Sequence, residues 1–107
     1  MTREPKKHVS VVLGKIRGLV RSGRYDLSIH VLKKIQEGEF ELDDLKCSVI
    51  NGNISKIQND ELKQSKDGRK YVILGPTPSG MPFESVGKIM EADNGAEYIF
   101  ITAYRRI

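Results

Sequence analysis

YDLSIHVLKKIQEGEFELDDLKCSVING, residues 25–52, reads as two short helices separated at Gly38, and the fold class follows from them. Ser28 offers a side-chain oxygen to the orphan amides of a helix start. At about 100° per residue, Val31, Leu32 and Ile35 share one side of the first helix, while His30, Lys33, Lys34 and Glu37 share the other. His30 and Lys34 are neighbours at i, i+4 on the polar side. The second helix starts near Leu42, carries Asp43 and Asp44 in its first turn, where the helix dipole favours anions, and stops at Asn51-Gly52. Leu42, Leu45 and Val49 form its buried stripe.

Upstream, residues 1–7 read as a loose basic arm and residues 8–22 as a third helix. Val9, Val12, Leu13, Ile16, Leu19 and Val20 fall within an arc of roughly 120°. Gly14 and Gly18 lie outside that arc, and each costs about 1 kcal/mol of helix stability relative to alanine, so this helix depends on docking its stripe. Downstream of Gly52 the period becomes two. Strands are expected at 53–59, 69–75, 81–91 and 97–104, separated by the Asp67-Gly68 turn, the Pro76-Thr77-Pro78-Ser79-Gly80 loop and an Asp93-Asn94-Gly95 hairpin. In the last strand Ile99, Ile101 and Ala103 alternate with Tyr98, Phe100, Thr102 and Tyr104. This predicts an aliphatic face packed on helices and an aromatic, hydroxylated face open to a ligand. The expected architecture is one α+β domain over 8–107: three helices followed by a four-stranded antiparallel sheet packed on one face.

The chain has 107 residues, 38% hydrophobic and 30% charged, with four prolines. That length buries about 65% of the extended chain's surface, enough for a core without disulfide or metal staples. A single cysteine, Cys47, excludes an internal disulfide and fits a reducing compartment. No apolar run is long enough for a membrane span and the start lacks the apolar core of a signal peptide, so the expected location is the cytoplasm, with no membrane partner. The net charge of +4 is unevenly spread. Residues 1–24 hold seven Lys or Arg against the single acid Glu4, while the rest hold eleven against thirteen. The N-terminal end is therefore where a polyanion or an acidic partner would touch, and the same charges serve equally as a solvated helix face.

Two histidines and one cysteine at these spacings supply no metal site. The glycines of 75–80 lack the Gly-Lys-Ser/Thr ending of a phosphate-binding loop, so no cofactor is expected. His30 stands out because an imidazole gives or takes a proton near neutral pH, and Lys34 one turn on offers a cation for a phosphate oxygen. Cutting RNA with side chains alone needs a base for the 2′-hydroxyl, an acid for the leaving oxygen and positive charge at the phosphorane. Glu84, Tyr104, Arg69, Lys70 and Arg105 complete that kit, and Tyr98, Phe100 and Tyr104 could stack on bases. In the other reading His30 hydrogen-bonds across the helix–sheet junction and the aromatics only pack the sheet.

Several short motifs together resemble a bacterial domain family of unknown function, whose members read roughly Y-x-L-S/T-x-H-A and end in V/I-T-x-Y. Here they are Tyr25-Asp-Leu-Ser28-Ile-His30 with Lys34, Asp43-Asp44, Asn51-Gly52, Gly68-Arg-Lys-Tyr71 with Gly75, and Ile101-Thr102-Ala103-Tyr104. The match covers about residues 25–104 and leaves out the N-terminal helix. This family is similar in pattern to the RelE and MqsR toxins, many of them messenger-RNA interferases and some encoded beside YgiT-type zinc-finger antitoxins. The resemblance implies a RelE-like fold and a toxin-like, metal-independent ribonuclease of a toxin–antitoxin pair, acting on RNA or at the ribosome. Taken with the chemistry of the residues, the ribonuclease reading gives catalytic roles to His30, Lys34, Glu84, Thr102 and Tyr104, and RNA contacts to Arg69, Lys70, Tyr98 and Arg105. The sequence departs from the pattern at three places. Lys34 stands where arginine is usual, Gly38-Glu39 replaces an Arg-Gly pair, and Glu84 follows Met81-Pro82-Phe83 where the family often has a histidine. A non-catalytic RNA- or protein-binding module on the same fold is the alternative.

Overall fold

A computed structural model describes residues 6–106; residues 1–5 of the expected arm lie outside the described residues. The chain runs α1 (Lys6–Arg21), β1 (Tyr25–Leu27), α2 (Ile29–Gln36), α3 (Leu42–Ile50), β2 (Asn53–Asn59), β3 (Arg69–Pro76), β4 (Pro82–Ala92) and β5 (Gly95–Arg105). The α+β class and the three helices match the expectation, but the sheet has five strands and is mixed. Its order is β1-β5-β4-β3-β2, with β1 parallel to β5 and the other neighbours antiparallel. The extra strand, Tyr25–Leu27, is only three residues long. No period can be read from three residues, and its partner, β5, lies some seventy positions away.

Each helix forms where its sequence provides a start and a stop. In α2, the Val31 amide donates to Ser28 Oγ at 3.1 Å, and the helix ends at Gly38, whose φ of 79° lets its amide turn back to the Ile35 carbonyl. In α3, Asp44 accepts from the Glu41 amide at 2.9 Å and closes the first turn. The end of α3 lies against β3 closely enough to require glycine twice. A Cβ on Gly52 would sit 2.2 Å from the Ser48 carbonyl oxygen, and one on Gly75 would sit 2.0 Å from the same atom. Arg17 fastens α1 over this junction, with Nη2 donating to the Gly52 carbonyl at 2.5 Å.

The core lies between the three helices and one face of the sheet. Leu13, Ile16 and Val20 of α1, Val31 of α2 and Leu45 and Val49 of α3 pack with Tyr71, Ile73, Phe83, Ile89, Tyr98, Phe100 and Ala103. This corrects the face expected for β5: Tyr98 and Phe100 are inside, while Tyr104 stays on the outer face. Val86 pairs with Thr102 and Gly87 with Phe100, so Ile101 is an unopposed bulge residue. The bulge shifts the alternation by one, which turns both Tyr98 and Ala103 toward the helices. Tyr98 then fits over Gly87, where a Cβ would come within 2.2 Å of the ring carbon Cζ. Leu32, expected on the buried side of α2, is likewise exposed. Among the described residues no helix is long and apolar enough to cross a membrane.

Candidate functional site

Among the described residues no helix packs on the opposite face of the sheet. By alternation and cross-strand pairing it presents Val72, Val86 and Thr102 in one row, Leu74, Glu84 and Tyr104 in the next, and Lys70 and Lys88 on the other side. One end of this face is closed by the β2–β3 connection. Asp60 accepts from the amides of Gln64 at 2.8 Å and Ser65 at 2.7 Å, and the Lys88 ammonium reaches Asp60 at 3.4 Å and Gln64 Oε1 at 3.0 Å. Burial alone would raise the Asp60 carboxyl, but these amides and Lys88 outweigh it and bring it from 3.8 to about 2. Lys88 is thus committed to holding the connection in place.

At the other end three groups meet. The Tyr104 hydroxyl donates to Glu84 Oε2 across the β4–β5 pair, and Arg106 Nη1 lies 3.3 Å from Glu84 Oε1. The Glu84 side chain is only 12% exposed, whereas Tyr104 is open to solvent. Thr102 is two residues before Tyr104 on the same strand face. The carboxylate can accept a proton, and the guanidinium beside it can stabilise an anion.

Helix α2 borders this end of the sheet. Beyond Phe100 strand β5 has no β1 neighbour, and α2 takes over its carbonyls. The Ser28 amide donates to Phe100 O at 2.9 Å, Ser28 Oγ to Ile101 O at 2.7 Å, and Lys34 Nζ to Ala103 O at 3.2 Å. Helix and strand therefore run side by side. His30 falls between these two anchors in sequence, about 40° around the helix from Lys34 and one turn nearer the helix start. It is exposed on the surface of α2.

Four of the residues picked from sequence, Lys34, Glu84, Thr102 and Tyr104, lie on or against the outer half of β5, and His30 is exposed on α2 one turn before Lys34. Lys70 shares the open face but stands two strands away. The other three do not join them. Tyr98 is fully buried under the helices, which excludes it from stacking on RNA; burial first, then neighbouring Tyr71, holds its phenol far above the ordinary 10.0. Arg69 points to α1, 3.2 Å from His8 Nε2. Arg105 projects to the helix side, into a cleft with Glu41, Asp43 and Asp44. Lys34 also has a structural task in capping the strand edge. Sequence reasoning missed Arg106, because the last strand was ended at Tyr104; carried two residues further, the alternation places it beside Tyr104.

Among the described residues, no group of three or more His, Cys, Asp or Glu side chains is placed to hold a metal ion. No protein-family model, curated protein or solved structure matches the chain, so the likeness to a toxin family rests on the motifs alone.

Proposed function

We propose that the protein is a small toxin-like ribonuclease that cuts RNA with its own side chains at the outer half of β5. The observation that carries this reading is the set Glu84, Tyr104 and Arg106, joined by hydrogen bonds and an ion pair on the uncovered sheet face; in this reading His30, exposed on α2, reaches the same site. Glu84 takes the proton of a ribose 2′-hydroxyl. The 2′-oxygen attacks phosphorus, Arg106 neutralises the phosphorane, and His30 gives its proton to the departing 5′-oxygen. The products are a 2′,3′-cyclic phosphate and a 5′-hydroxyl. Thr102 and Tyr104 position the phosphate, Lys70 holds the strand further along the sheet, and Lys34 fixes α2 to the strand edge. An antitoxin that covers this face belongs to the same reading.

The test is cleavage of a single-stranded RNA by wild type, Glu84→Gln and His30→Ala. Loss of an acid or base lowers the rate by about 10²–10⁴-fold, and the cyclic phosphate identifies the chemistry. Equal cleavage by all three would remove both groups from the reaction. One observation favours the alternative, a binding module without cleavage: both Glu84 oxygens are already engaged, by the Tyr104 hydroxyl and by Arg106. RNA bound but left intact by wild type would establish it.

A further inference from the structure

Helix α2 has a second apolar side that nothing in the described chain covers. Ile29 is 86% and Leu32 43% exposed. Lys33 and Gln36 are exposed beside them, and together the four span about 100° on the side away from Val31. From Ile29 to Gln36 there is no acid. At the far end of the same helix lies a cleft of about 630 Å³ with an apolar floor of Ile35, Phe40 and Leu42 and a rim of Glu41, Asp43 and Asp44, which outnumber its one cation, Arg105. Leu32 and Ile35 are neighbours at i, i+3, so the projecting side and the cleft form one continuous surface.

The two halves of this surface are complementary: one is convex, apolar and cationic, the other concave, apolar-floored and acidic. We infer that they are the two halves of a single self-matching interface, and that a second copy of this chain occupies it. A two-fold axis that sets α2 antiparallel to its counterpart brings Ile29, at one end of an eight-residue helix, to the cleft at the other end of the partner's helix. That helix is about 12 Å long, so the offset is one helix length. Every contact is then made twice. Asp44 is engaged with the Glu41 amide and the Glu41 side chain with the Asp44 amide, which leaves Asp43 as the carboxylate to meet Lys33 of the opposite copy. His30 and Lys34 lie on the other flank of α2, toward β5, and stay open in the pair. The inference does not depend on the ribonuclease reading.

Sedimentation velocity on the full chain, from about 5 to about 200 µM, tests this in the range where a small interface associates. The expected mass rises from 12.1 kDa toward twice that value. Association weakens about tenfold between roughly 50 and 500 mM salt, as a charged rim requires. Ile29→Ser abolishes the pair without altering the circular dichroism spectrum, since the side chain is exposed. Lys33→Glu and Asp43→Lys are each monomeric because each puts like charges together at both contacts, whereas an equimolar mixture of the two associates because both contacts are restored. A wild type that stays monomeric at the highest concentration overturns the inference. So does a dimer indifferent to Ile29→Ser, or a mixture that stays monomeric.

Discussion

Replacing Gly87 by alanine tests the bulged register of β5 most sharply. The added Cβ would sit 2.2 Å from Cζ, 2.3 Å from the hydroxyl oxygen and 2.6 Å from Cε2 of Tyr98, where ordinary carbon contacts are about 3.5–4.0 Å. The ring is fully buried and packs edge-to-face on Phe100, with centroids 5.1 Å apart, so it cannot swing into solvent. Overpacking of this depth belongs at the upper end of its usual cost, about 3 kcal/mol. For a chain of this size that lowers Tm by roughly 12 °C or more. Urea unfolding followed by circular dichroism should show the midpoint falling at unchanged slope. The decisive comparison is a double-mutant cycle. In a Tyr98→Leu background the space above position 87 opens, and adding Gly87→Ala should cost less than about 1 kcal/mol further. A cost below about 0.5 kcal/mol in the native background, or the same cost in both, would refute the packing of Tyr98 over Gly87 and with it the inward aromatic face.

Three further outcomes follow from the same packing. Gly14→Ala and Gly18→Ala should each stabilise the protein by about 1 kcal/mol, because both positions are helical and exposed and a Cβ there meets nothing within 4 Å; thermal unfolding of the single and double variants measures this. Tyr98→Phe should be stabilising by about 1 kcal/mol, since the hydroxyl is buried without a partner. Its sign at high pH is fixed too. The folded phenol is raised, so above pH 10 only the unfolded chain releases that proton and wild-type stability falls as pH rises, a dependence that Tyr98→Phe should reduce. Asp60 works in the other direction. Its carboxyl is lowered to about 2, so the stability it provides is complete above 3.8 and is lost as pH falls through that window; Asp60→Asn should weaken the fold at neutral pH and flatten this acid limb.

The parts of this fold that were legible in the sequence are those with local causes. Ser28, Gly38 and Asn51-Gly52 start and stop their helices by side-chain and backbone chemistry within a few residues, and Asp67-Gly68 and Asp93-Asn94 turn the chain where turn residues must. The two misreadings have non-local causes. The β1–β5 pairing joins residues distant in sequence. The bulge at Ile101 sits in a run of strand formers, with no glycine beside it to mark it, and its trace is Gly87 on the neighbouring strand. That one-residue slip is why Tyr98 was expected at the surface. The site shows the same division. Short motifs named Lys34, Thr102 and Tyr104, which the fold brings to the outer half of β5, and His30, which it leaves exposed on α2, but the use of Ser28 and Lys34 to cap the edge of β5 depends on tertiary geometry that no local pattern encodes.

RNA held on the uncovered face at the outer half of β5 is what the proposed function requires. A ¹⁵N chemical-shift titration of the Glu84→Gln variant with a short single-stranded RNA tests it directly. Perturbed amides at Val72, Val86, Thr102, Tyr104 and Arg106, with His30 at the margin, are the predicted result. Shifts confined to α1 and the acidic cleft beside Arg105, or no shifts at all, would contradict it.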